Sequence, residues 1–225
     1  MQVKLTANYA NGSLGSVTGP GDIFLSGLYT IKSASAWSTS TLLGAKLPLN
    51  NGNLKSNGLA LPMQYQSSLG TVDLVSGLST SNDHWQFAAG WQQPLSGSNK
   101  NQFLPVHLNN DDSKNYPPSK SFNGKGNLLL RAAYTCNPIN KLSVNGGLLA
   151  IYHLADDTYT DISDNRLTII GSSGPTLNIT LLATLRLNEK TTIGFNAGSP
   201  LIFRDVRPDG LTRKFVFAPE ISWNF

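Results

Sequence analysis

The sequence predicts an all-β protein, an antiparallel up-and-down transmembrane β-barrel of about ten strands that fills residues 1–225 as a single outer-membrane domain. Three observations carry that expectation. The first is two-residue alternation, clearest at 213–225, where Phe215, Phe217, Pro219, Ile221, Trp223 and Phe225 share one face and Lys214, Val216, Ala218, Glu220, Ser222 and Asn224 the other. The second is charge: only 13% of residues are charged, against about 25% in an average soluble domain, which is little to spread over a fully wetted surface. The third is a rhythm of alternately long and short connections, the pattern of a barrel with short periplasmic turns and long outer loops. No run of about 18 apolar residues occurs, so a transmembrane helix is excluded and a spanning structure has to be a closed barrel.

The elements follow in order. Val3, Leu5, Ala7 and Tyr9 align in a short first strand, and the glycines and Pro20 of 10–21 read as a loop. Ile23, Leu25, Tyr29 and Ile31 mark a second strand, which turns near 32–35 into a third carrying Trp37, Leu43, Ala45 and Leu47. The Asn/Gly-rich stretch 48–68 is a long loop. Residues 69–80 and 84–95 form a hairpin about Ser81-Asn82-Asp83, with Trp85, Phe87, Ala89 and Trp91 on one side of its second strand. A helix would scatter those aromatics around its circumference. Residues 96–125 have almost no periodicity and are the longest loop, with a short ordered piece expected around Phe103 to Leu108. Strands at 126–136 and 141–154 flank the turn Asn137 to Asn140, a loop fills 155–174, and strands at 175–187 and 191–198 flank Asn188-Glu189-Lys190. The loop 199–212 delivers the last strand. A further hairpin hidden in 48–68 or 96–125 would raise the count from ten to twelve.

Composition narrows the partners. The net charge of +4 is thinly spread and forms no Lys/Arg cluster, which argues against nucleic acid. Cys136 is alone, so neither an intrachain disulfide nor a cysteine metal cluster is expected. No basic leader with an apolar core opens the sequence, and the expectation is that such a leader has been removed.

Charges on the inward faces are Lys46, Asp73, Arg131, Arg186 and Glu220, with His153 near the outer rim. Inside a small barrel such groups have to be paired or hydrated, either as a salt-bridge and hydrogen-bond network or as an anion-favouring constriction. Phe103, Val106, Leu108 and Tyr116 are the candidates for a folded-back loop that plugs or gates the lumen. Trp37, Trp85, Trp91, Trp223 and Phe225 fall on outward faces and read as membrane-interface anchors. His153 precedes Asp156 and Asp157 by three and four residues, and His107 precedes Asp111 and Asp112 by four and five. An imidazole near carboxylates can act as a general base; no serine or paired carboxylate is fixed on a strand opposite either histidine, so no catalytic residue is assigned. Neither group supplies the convergent ligands of a zinc site, and loop solvation accounts for Asp156, Asp157 and Asp161 better than calcium does, so no metal and no cofactor is expected.

Several segments resemble the outer-membrane proteins of the meta-pathway of phenol degradation family. They are Gly21-Asp22-Ile23, Leu43-Gly44-Ala45-Lys46-Leu47-Pro48, Leu69-Gly70-Thr71-Val72-Asp73-Leu74 with Gly77-Leu78, Trp85-Gln86-Phe87 with Ala89-Gly90-Trp91, and the terminal Ile221-Ser222-Trp223-Asn224-Phe225. The last piece also resembles the signal read by the outer-membrane insertion machinery. The resemblance implies a porin-like transporter of small, often aromatic or hydrophobic solutes. The combined expectation is an outer-membrane channel with both termini periplasmic, in contact with outer-membrane lipids, assembled by the insertion machinery and doing no covalent chemistry. The alternative functions are a structural or surface-binding barrel acting through its outer loops and, third, a hydrolase at the outer rim.

Overall fold

The computed structural model describes residues 2–31, 36–209 and 215–223, with side chains from residue 9 onward. Ten strands form one antiparallel sheet in chain order: β1 Gln2–Gly12, β2 Gly15–Ile31, β3 Ser38–Pro48, β6 Asp73–Ser81, β7 Trp85–Pro94, β8 Asn127–Ile139, β9 Leu142–His153, β12 Gly174–Arg186, β13 Thr191–Ile202 and β14 Val216–Trp223. Four short strands make two separate ribbons, β4 Lys55–Ser56 with β5 Leu59–Ala60, and β10 Thr158–Thr160 with β11 Arg166–Thr168. Among the described residues three short 3₁₀ turns accompany the strands, and no helix is long and apolar enough to cross a membrane.

The expected barrel is not closed. Among the described residues β1 pairs only with β2 and β14 only with β13, so the sheet has two edges. Every residue of β14 is exposed on both faces, whereas a strand within a closed wall keeps one face sheltered. Pro219, which has no N–H to give to a ladder, also suits an edge. With closure go the expectations that depended on it: the outer-membrane location with periplasmic termini, contact with outer-membrane lipids, assembly by the insertion machinery, and the channel. Alternation specifies which side of a strand is apolar, and a meander sorts its connections long and short just as a barrel does. Neither pattern says whether the first strand meets the last.

The first expected loop is largely strand. Gly15, at φ +127, makes a two-residue turn that lets β1 and β2 pair to their tips, Gly12 opposite Gly15. Pro20 is accommodated where β1 shifts register between Leu5 and Ala7, above the end of β3, and so costs no ladder bond to β3. The hairpin expected as one possibility within 48–68 exists: Asn57 and Gly58, both at positive φ, turn β4 into β5. It stays outside the main sheet, so the strand count there is ten rather than twelve.

The apolar core is not between sheets. It sits at one end of the strands, where Phe103, Leu61, Tyr65 and Ala60 of the long connections pack together with Leu14 of the β1–β2 turn, and Met63, Phe122 and Ile169 form a second group. These connections bond to one another across the sheet. Gln64, between β3 and β6, donates to the Arg207 carbonyl between β13 and β14 at 3.2 Å. In a flat sheet those connections would lie six strand spacings, about 29 Å, apart. The sheet is therefore curled, and the loops close one end of the curl as a cap.

Candidate functional site

Cross-strand register places a row of polar side chains on the concave face, directly beneath the cap. Lys46 is opposite Asp73, Gln92 opposite Asn127, and Asn127 opposite His153. Residues opposite one another in an antiparallel ladder point to the same side, so alternation along five strands assembles these groups without any loop having to carry them.

The row has two parts. In the first, Lys46 Nζ lies 2.7 Å from Asp73 and 3.8 Å from Asp22, and Lys46 and Asp73 are almost completely buried. Thr71 donates to Asp73 at 2.6 Å, Gln92 donates to its other oxygen, and Ser68 donates to Asp22. One ammonium thus serves two carboxylates. Burial pushes the Asp22 carboxyl above the usual carboxylate range, against the opposing pull of the Ser68 hydrogen bond and the Lys46 charge. In the second part, His153 lies between Asn127 and Asp157, 2.8 Å from each, with Nε2 toward the carboxylate. Asp157 also accepts from the Lys125 amide, while its own amide donates to Ser172 Oγ. Ser172 Oγ donates in turn to the Ile169 carbonyl, and Arg204 donates to the Ser172 carbonyl and pairs with Asp209 at 2.7 Å.

Chemically this arrangement holds and orients. Both His153 nitrogens and the Ser172 hydroxyl are already engaged, which leaves neither a free base nor an activated nucleophile in the row. At the other candidate group, Asp111 pairs with Lys114 at 2.8 Å in an exposed turn, and His107 is exposed. Asp156 accepts from the Ser173 amide, Asp161 from the Ser163 and Asn165 amides, and Asp157 from His153 and Lys125, so the three aspartates serve separate turns. Among the described residues no three His, Cys, Asp or Glu side chains converge on a metal position.

The remaining predicted residues are dispersed. Arg131 is half-buried on the concave face lower down β8, with Nη2 donating to Asn145 Oδ1 at 3.2 Å. Arg186 and Glu220 share that face by register but are exposed, at the short-turn end and on the edge strand. Phe103 is fully buried in the cap, Leu108 and Tyr116 pack against it, and Tyr116 shares a hydroxyl hydrogen bond with Tyr65 at 3.2 Å. Val106 is 74% exposed and takes no part in that core. Trp37 and Trp85 stack on Phe87 at 6.1 and 5.7 Å on the convex face, Trp91 and Trp223 are exposed there, and Phe225 lies outside the described residues. That face is apolar as expected, with a shallow groove of about 580 Å³ along Leu78, Phe87, Leu130 and Leu148, but its assignment to lipid falls with the closed barrel.

Sequence reasoning missed Asp22, Gln92, Asn127 and Ser172 as members of the row. Asp22, Gln92 and Asn127 carry the correct parity, but their partners depend on inter-strand register. Ser172 is placed by a loop.

No protein-family model and no curated protein matches this chain. The resemblance to the phenol-degradation family is therefore not upheld. The segments that suggested it, such as Leu43–Pro48 and Leu69–Leu74, turn out to be a strand end and a loop-to-strand passage, patterns that antiparallel sheets share generally.

Proposed function

We propose that this protein is a non-covalent receptor that holds a small polar solute in the concavity between its curled sheet and its loop cap. One observation carries the reading: the sheltered side of the curl is the polar side, and the cap closes it above a fixed row of donors and acceptors running from Lys46 to His153. A fold that only needed to cover itself would turn its apolar side inward. With both His153 nitrogens and the Ser172 hydroxyl engaged within the protein, the row carries no group poised for covalent chemistry. The concavity is a place to reside and not a passage, because packed side chains of the cap occupy the end above the row.

A cysteine at Ser79, on the concave face opposite Ala88, tests this when it carries an environment-sensitive fluorophore in a Cys136→Ser background. Small polar solutes such as acetate, acetamide, glycine and glucose are titrated in turn. At least one is expected to give a saturable emission change that the same label at exposed Leu78 does not show. Linear responses to all of them at both positions would defeat the receptor reading.

A further inference from the structure

We infer that Arg131 makes the concavity selective for a small carboxylate; this rests on the receptor reading above and names the class of solute. Arg131 lies between Ala88 on β7 and Leu149 on β9, below the polar row. Its Nη2 donates to Asn145 Oδ1 at 3.2 Å, and the Asn145 amide donates onward to Thr135 Oγ1 at 2.8 Å, which fixes the plane of the guanidinium. Its Nε is buried and has no partner.

No carboxylate among the described residues pairs with this charge. The acids of the upper row pair elsewhere, Asp73 with Lys46 and Gln92 and Asp157, through Oδ1, with His153, and Glu220 is exposed on the edge strand with Ser222 donating to it at 3.1 Å. A lysine in this position could shed its proton, whereas a guanidinium stays charged. A half-buried cation with no carboxylate beside it among the described residues is matched in charge and geometry by an oxyanion. The neighbours favour a compact one. Ala88, Ala133 and Gly147 share the Arg131 side of the sheet by register with Leu129, Leu149 and Gln86, a mix of small and larger side chains that leaves room only for a small solute. A carboxylate of acetate size is small enough to approach the part of the guanidinium that remains exposed, since Arg131 is only half-buried.

The Ser79→Cys label in the full chain supplies the test, with sodium acetate, acetamide as its neutral isostere, and sodium chloride as the ionic-strength control. Acetate should saturate the signal at a concentration about tenfold or more below any acetamide response. Arg131→Gln should remove that preference while leaving responses to neutral solutes in place. Because Arg131→Gln removes an unpaired charge, its melting temperature without acetate should be no lower than that of the parent, and addition of acetate should raise only the parent's. Equal responses to acetate and acetamide, or an Arg131→Gln chain that binds acetate like the parent, would overturn the assignment. Saturable binding of neutral solutes with no preference for acetate would sink the carboxylate class alone. Absence of saturable binding by every solute would sink the receptor itself.

Discussion

Lys46, Asp22 and Asp73 show how one buried cation governs its surroundings. With both acids ionised the group carries one excess negative charge in a sheltered position, and burial raises Asp22's carboxyl accordingly. The linkage has a definite sign. Between the ordinary carboxylate value and Asp22's raised one, the folded chain keeps a proton that the unfolded chain has released, so this residue's contribution to stability falls as pH rises through that window. Above the window the penalty is complete. Asp22→Asn should therefore melt no lower than the parent at pH 7, and the variant's advantage should shrink as pH is lowered. Melting curves of both chains between about pH 3 and about pH 8 check this, and an offset independent of pH would refute it. Lys46 and Asp73 were legible as inward-facing charges from alternation alone. Asp22 was not, because its role depends on β2 running beside β3 in one particular register.

At the scale of elements, the cap is held together by buried asparagine as much as by apolar contact. Asn101 is fully buried. Its amide donates to the Gly52 and Leu61 carbonyls at 2.8 and 3.0 Å, and its oxygen accepts from the Phe103 amide at 2.8 Å and Ser119 Oγ at 3.0 Å. One side chain thereby ties 49–72 to 95–126. Asn101→Leu strands four groups, each costing about 1–3 kcal/mol when left buried and unpaired. Gly70 adds a backbone constraint: at φ +70 a side chain there would meet the Asn51 backbone at 2.5 Å. The expectation is that Asn101→Leu opens the cap while the sheet persists. In hydrogen exchange, amides within 49–72 and 95–126 should lose protection and those of β8 and β9 should keep theirs; a uniform loss would show that cap and sheet fold as one unit. The sequence revealed an ordered piece around Phe103 but concealed Asn101. An Asn in a Gly/Asn-rich loop looks like turn chemistry until its four partners are known.

For the whole molecule, the decisive question is what happens at the two edges of the sheet. Ten strands in chain order, with their apolar side outward, could be read from period-two alternation because that pattern is local. Closure could not, since it depends on pairing between segments about two hundred residues apart, and no local pattern encodes it. The open form makes a demand that a closed one does not. Alternate amides of β14 point away from β13 and have no partner among the described residues, and Pro219 contributes no N–H at all. Edge groups of this kind are bonded only by water, so they should exchange at nearly unprotected rates while the β13-facing amides of the same strand are slowed. Site-resolved exchange across Val216–Trp223 distinguishes the two architectures, because a strand bonded on both sides would protect every amide except the missing one at Pro219. An alternating pattern of fast and slow amides along β14, together with uniform protection in the central strands β7, β8 and β9, is the outcome that an open, curled sheet requires.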